Sequence, residues 1–410
     1  MNVKEKEMAA MLYDLCIIGG GMFGSAAARH ASANPALKVC LIGPAEPTPE
    51  EKKSREIFAS HYDASRITRI LDDDPACEVL SRESIKRYSE IEKLSGIKFH
   101  TPVGCLFIIQ KNNPYMKDLL KAADAKNVSI TDVSCRDTFT RRYPYLLFKD
   151  DEIALLDDNG GGHIDPRNLV AAQKKISREQ GCDIIESVVT ELHQENNHYQ
   201  IKTEAGNKIT SKRVLIATGA FINLKIHSDL KPLLVSKHKE TIALLEVSEE
   251  ETERLNSLPD VIYVRGSDEI FPKGVFSYFL PPVEYTAGKF SIKVGIDGCA
   301  EEAKDLDDIK KWYQSGGDQN LIKLQERLIK RELPGLRYDS ITSRTCVNCH
   351  TPTGLPYIDR INPTLTVAVA GNGKAAKFSD EVGRLAAKLS TTGEWDSELE
   401  QIRFRAVFQE

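Results

Sequence analysis

Residues 13–30 read YDLCIIGGGMFGSAAARH, and this stretch decides the fold. The apolar run before the glycines fits a buried parallel strand, and the small residues after them suit a helix packed tightly on a sheet. Val39 to Ile42 supplies the next strand, so the segment reads as strand, turn, helix, strand. Gly19, Gly21 and Gly24 take the G-x-G-x-x-G positions, with Met22 and Phe23 between the last two. The first glycine permits the turn, the second lets a pyrophosphate approach the backbone, and the third brings helix against strand. The helix N-terminus then faces the phosphates. The pattern predicts a dinucleotide site. An acidic residue expected at the end of the second strand is absent: VCLIGPAEP places Gly43 there, with Glu46 as the candidate substitute.

The bulk of the chain fits that reading. With 410 residues, 41% hydrophobic and 28% charged, it can bury a large core and form two or three domains. A net charge of -5 and the lack of any Lys/Arg run give no footprint for nucleic acid. Nine cysteines, an odd number without a regular framework, imply free thiols and a reducing compartment. The opening MNVKEKEMAAMLYDLC carries Glu5, Glu7 and Asp14 where an export signal needs an apolar core, and RFRAVFQE lacks a peroxisomal tail. No segment approaches the roughly 20 apolar residues that span a bilayer. These features predict a cytoplasmic protein acting on small molecules, with no membrane partner.

Further elements follow. Helical patterning covers Pro75 to Leu94, and VGCLFIIQ at 103–110 reads as a strand. HIDPRNLVAAQKKISREQG begins with Asp165 as N-cap and Pro166 at the first helical position, and stops at Gly181. A hairpin through Ala205-Gly206-Asn207 precedes the strand RVLIATGAF. LIKLQERLIKREL reads as a helix ended by Pro334 and Gly335, and the strand LTVAVAG runs into GNGKAAKFSDEVGRLAAKL, a glycine turn and helix. Dinucleotide parts thus lie at the beginning, middle and end, with other material inserted. That interleaving fits a flavoprotein better than a nicotinamide dehydrogenase, whose nucleotide domain is usually one block.

TCVNCH at 345–350 has the Cys-x-x-Cys-His spacing of a c-type haem attachment. Zinc would need two further ligands, and a thioredoxin-like pair should open a helix, which Pro352 and Pro356 forbid. A haem electron-transfer module remains an alternative from a different class.

The chain resembles D-amino-acid-oxidase-type FAD oxidoreductases, and within them the monomeric sarcosine oxidase and fructosyl-amino-acid oxidase group. The anchors, in order, are CIIGGGMFG (16–24), SRITR (65–69), VLIATGAF (214–221), FSIKVG (290–295), the Pro334-Gly335 turn before Cys346, and GNGKAAKFS (371–379). The resemblance implies an α/β protein, a Rossmann-like FAD-binding domain interleaved with a mixed antiparallel-sheet α+β substrate domain. The expected boundaries are 10–74, 151–225 and 341–400 for the first, 75–150 and 226–340 for the second. It implies that FAD is held by Gly19, Gly21, Met22, Phe23, Gly24, Ser65, Arg66, Gly219, Gly371, Gly373 and Lys377, with a thioether from Cys346 to the flavin.

By the same resemblance, Lys293 sits over the flavin and assists oxygen reduction, with Arg66 close to the ring and Tyr278 as an aromatic wall. A desolvated ammonium stabilises the negative charge that develops on oxygen. Alternation along FSIKVG puts Lys293 opposite the apolar side chains. Arg69 and Lys377 match the pair that holds a substrate carboxylate, Arg as a planar fork and Lys as a point charge; Arg66 and Arg69 share a face if their segment is helical. Two positions depart from the group: Asp297 replaces a histidine and Asn348 a tyrosine, so the pocket is expected to favour a substrate with an extra cationic or hydroxyl group. The expected function is oxidation of a secondary or N-substituted amino acid to an imine by a monomer, with molecular oxygen reduced to hydrogen peroxide. A dehydrogenase passing electrons to a quinone or other acceptor is the alternative within the same superfamily.

Overall fold

The structure, a computed structural model, describes residues 11–224, 230–268, 270 and 276–410; the reading of the opening ten residues lies outside them. Strands form where the sequence is apolar on both faces. Asp183–Ile185, Val39–Ile42, Leu15–Ile18, Val214–Ile216, Leu365–Val369 and Tyr357–Asn362 lie in that order in a six-stranded sheet. The first five run parallel and the last antiparallel. The helices Met22–Ser32 and Ser379–Thr392 cross against one another, so closely that a Cβ on Gly383 would collide with Ala26. Their apolar faces close a core with Leu15, Ile17 and Leu215. Each such fully buried side chain contributes roughly 1.5–3 kcal/mol.

The second body is a nine-stranded mixed sheet. Its strand Ser236–Val247 pairs with Lys289–Asp297 on one side and with Ser340–His350 on the other, all antiparallel. Phe276–Thr286 follows Lys289–Asp297, and Asp260–Val264, Cys105–Gln110 and Glu152–Asp157 continue the sheet. Alternation gives this sheet two distinct faces. Ala243, Leu245, Phe279, Ile292 and Val294 pack under Ile329 and Leu333, from the helix Gln319–Glu332 and the residue that caps it. Lys293, Gly295 and Tyr278 belong to the opposite face, and Lys293 reaches Asp63 and Ser65 just ahead of the short strand Arg66–Thr68.

The expected helices appear at Pro75–Ser95, Pro166–Glu179 and Gln319–Glu332, and the hairpin turn places Gly206 at φ 83°. Two strands fall differently from the expected boundaries. Glu152–Asp157 and Ser340–His350, which those boundaries group with the nucleotide segments, hydrogen-bond into the large sheet. SRITR is also extended rather than helical, because Arg66–Thr68 pairs with Gly162–Ile164. Arg66 and Arg69 therefore diverge. Among the described residues no helix is long and apolar enough to cross a membrane.

Candidate active site

Gly19 turns at φ 115°, where a Cβ would collide with the Ala217 carbonyl, and a Cβ on Gly24 would strike the Gly19 oxygen. The glycines thus let strand, turn and helix approach closely. Gly21 caps the helix Met22–Ser32 without a side-chain hydrogen bond, leaving its first N–H groups available to an anion. Gly43 also has a steric reason: a Cβ there would meet the Gly20 nitrogen. Glu46 is engaged by Arg167 through two hydrogen bonds of 2.7 Å.

In front of this turn lies a cavity enclosing about 1400 Å³, its open mouth included. Gly19, Gly21, Met22, Phe23, Gly219, Gly371, Gly373 and Arg66 line it; Gly24, Ser65, Cys346 and Lys377 do not, and Cys346 lines a neighbouring hollow shared with Arg66. Two polar atoms from the cavity wall, His61 Nδ1 and Thr218 Oγ1, are buried without a partner among the described residues. Burial and the cations Lys174 and Arg167 depress His61 to about 3, so its ring is neutral. A dinucleotide fits these features, since its hydroxyls and phosphate oxygens supply the missing partners.

Arg66, on the cavity wall, is linked to a buried group of polar side chains on the large sheet. Lys293 is 1% exposed and donates to Asp63 Oδ2 at 2.8 Å and to the Ser65 carbonyl at 2.6 Å. Arg66 forms an ion pair with the same Asp63 carboxylate and donates to the Ser60 carbonyl at 3.0 Å. Burial and the neighbouring Arg66 push Lys293 well below the ordinary lysine value, while Cys346 and Asp260 oppose them. Tyr278 stands cross-strand from Gly295, and a Cβ on that glycine would run into its ring. The Ser65 hydroxyl shares a 2.7 Å hydrogen bond with Tyr285.

TCVNCH lies wholly within the strand Ser340–His350. Cys346 and Cys349 therefore project to opposite faces and cannot clasp one haem. Among the described residues no group of side chains could hold a metal ion. Cys346 is half-buried, its thiol raised by burial and opposed by Arg66. Asn348, two residues on, shares its face, lines the cofactor cavity and donates to Glu240 at 3.1 Å. Asp297 ends its strand exposed to solvent.

Arg69 and Lys377 do come together, but on a carboxylate of the chain itself. Arg69 donates to Asp72 Oδ2 at 2.7 Å, and Lys377 ion-pairs with the same oxygen. Both cations are buried, and Lys374 approaches Asp72 Oδ1 at 2.9 Å. The opposed cations hold Asp72 well below the usual carboxylate range despite its burial. Asp63, Asp72 and Glu240 escaped the sequence reading. None of the three gave a signal: Glu240 follows the polar run SKHK ahead of the apolar part of its strand, and the other two sit in polar runs that look like solvated loops.

A parallel sheet with a glycine turn, and a long mixed sheet closing a dinucleotide cavity, define a flavin-dependent oxidoreductase. The FAD dependent oxidoreductase family matches residues 14–389, and the chain belongs to it. FAD is its cofactor. The chain is 28% identical to the monomeric sarcosine oxidase of Streptomyces avermitilis over 211 residues, 51% of this chain and 52% of that one. It thus spans about half the length of that relative. It is 22% identical to the L-saccharopine oxidase of Schizosaccharomyces pombe over 407 residues, covering 91% and 89% of the two chains. The open form of NikD, an amino acid oxidase essential for nikkomycin biosynthesis, superposes with a TM-score of 0.75 at 18% identity over 97% of this chain and 98% of that one. That likeness shows a shared fold.

Proposed function

We propose that the protein is an FAD-dependent oxidase of a secondary or N-substituted amino acid. The observation that supports this reading is the buried Lys293, which shares the Asp63 carboxylate with Arg66, a residue that lines the dinucleotide cavity. The substrate loses two electrons and two protons at its C–N bond and becomes an imine, which water hydrolyses to an amine and a carbonyl. Bound FAD supplies the two-electron acceptor and returns the electrons to molecular oxygen, which gains two protons to give hydrogen peroxide.

The chain's own groups orient and polarise. Lys293 places positive charge where oxygen becomes negative, in surroundings dry enough for that charge to count. Arg66 adds a second cation at the cavity wall. Tyr278 is a flat aromatic wall lying against Gly295. Cys346 would hold the flavin by a thioether from the sheet side. Arg69 and Lys377 would receive a substrate carboxylate by exchange with Asp72, which retains Lys374 as a partner.

A peroxide assay with the FAD-loaded protein across N-methyl, N-carboxyalkyl and sugar-derived amino acids tests the reading. Peroxide formed in step with substrate consumed supports it, and no oxidation of any of them rejects it. One observation favours a second reading, a dehydrogenase feeding a quinone: Asp63 neutralises part of the charge that Lys293 could offer to oxygen. Substrate-dependent reduction of an artificial quinone without oxygen consumption would decide for it.

A further inference from the structure

Glu240 lies directly opposite Cys346 in the antiparallel register, so the two side chains share a face of the large sheet. Leu244, four residues along the same strand, stands opposite Lys293. By alternation Glu240, Cys346, Asn348, Lys293 and Asp297 therefore occupy one face, that of the proposed chemistry. Glu240 is half-buried, and among the described residues its carboxylate meets one side-chain donor, the Asn348 amide at 3.1 Å, and forms no ion pair. Arg66, the cation whose charge acts on it, is committed to Asp63. Asp297 adds a second negative charge beside it, and burial with that charge raises Glu240 to about 7.

A carboxylate so placed is unfavourable unless a cation or several donors meet it. Nothing in the fold requires it, since glutamine has the same shape and would keep the Asn348 contact. Asn348 itself reaches the cofactor cavity, and a Cβ on Gly373 would lie 3.5 Å from its amide nitrogen. The unmet acid thus stands within a residue's length of the cofactor space, where a substrate would extend.

We infer that Glu240 is a specificity residue that receives a second cationic group of the substrate, an ammonium or guanidinium carried in addition to the amine that is oxidised. The inference rests on the amine-oxidase reading and narrows it to basic N-substituted amino acids. Asp297, at the exposed end of the same face, strengthens the attraction for such a group.

The test uses the FAD-loaded enzyme and two readouts. In the first, kcat/KM is compared for N-methyl-lysine, methylated on its α-nitrogen, and N-methyl-norleucine, which lacks only the terminal ammonium. The wild type should prefer the basic substrate, and Glu240→Gln should shrink that preference by about 30-fold or more, with Glu240→Asp restoring part of it. In the second, an alkyl diamine and the matching monoamine are titrated against the flavin's visible spectrum, which needs no turnover. Tighter diamine binding that Glu240→Gln abolishes supports the assignment; equal binding of the two, or a preference that survives the substitution, overturns it. If the diamine preference holds while no N-substituted amino acid is oxidised, the oxidase reading falls and the cation site stands.

Discussion

Lys293 and Asp63 meet at 2.8 Å in a buried ion pair, although 230 residues separate them in sequence. The contact joins the large sheet to the segment that leads into Arg66, and the same carboxylate serves both cations. One acid thus sets the charge at the centre of the candidate site.

Replacing Lys293 by Met should reduce the rate of reoxidation by oxygen about 100-fold or more, the scale on which one preorganised charge acts. Turnover with an artificial acceptor should persist. Stopped-flow reoxidation of the reduced protein measures the first and dye reduction the second.

The pH dependence follows from the direction of the Lys293 shift. In the proposed reaction its ammonium is the form that would assist oxygen, and its folded pKa lies below the ordinary 10.5. The oxygen reaction should therefore slow as pH rises through that depressed value. Asp63→Asn removes the opposing carboxylate, so the fall should move to still lower pH.

At Asp72, substitution by Asn leaves Arg69 and Lys377 buried without their counter-charge. Losing one partner of such a buried cluster costs about 3–5 kcal/mol, read as a lower denaturant midpoint. A small compound with a carboxylate should restore part of the loss if it can take Asp72's place, and a neutral amide of the same shape should not.

Glu240 makes a separate prediction for stability. Its pKa rises from 4.5 unfolded to about 7 folded, so between these values the native chain holds a proton that the unfolded chain has released. Stability should fall as pH climbs through that window, by at most about 3 kcal/mol. Glu240→Gln should flatten this part of the melting-temperature profile.

The sequence was most legible where backbone demands a residue type. Gly19 and Gly24 revealed the nucleotide turn because nothing larger fits there, and Asp165-Pro166 revealed a helix start because capping is local. Gly43 shows the limit: an expected acid is missing because the strand end touches Gly20, a contact that spacing does not disclose. Arg66 and Arg69 share a face only if their segment is helical, and pairing with Gly162–Ile164 makes it a strand instead. The acids that set the site's charge were illegible for the same reason. Asp63 and Asp72 gain meaning only when Lys293 and Lys377, more than 200 residues away, fold onto them.

The most direct measurement is anaerobic mixing of the FAD-loaded protein with a basic N-substituted amino acid, followed by admission of oxygen. The account predicts that the visible flavin band bleaches in proportion to substrate, then returns as one hydrogen peroxide forms per imine. A band that stays unbleached by every secondary amine and N-substituted amino acid tried would contradict it.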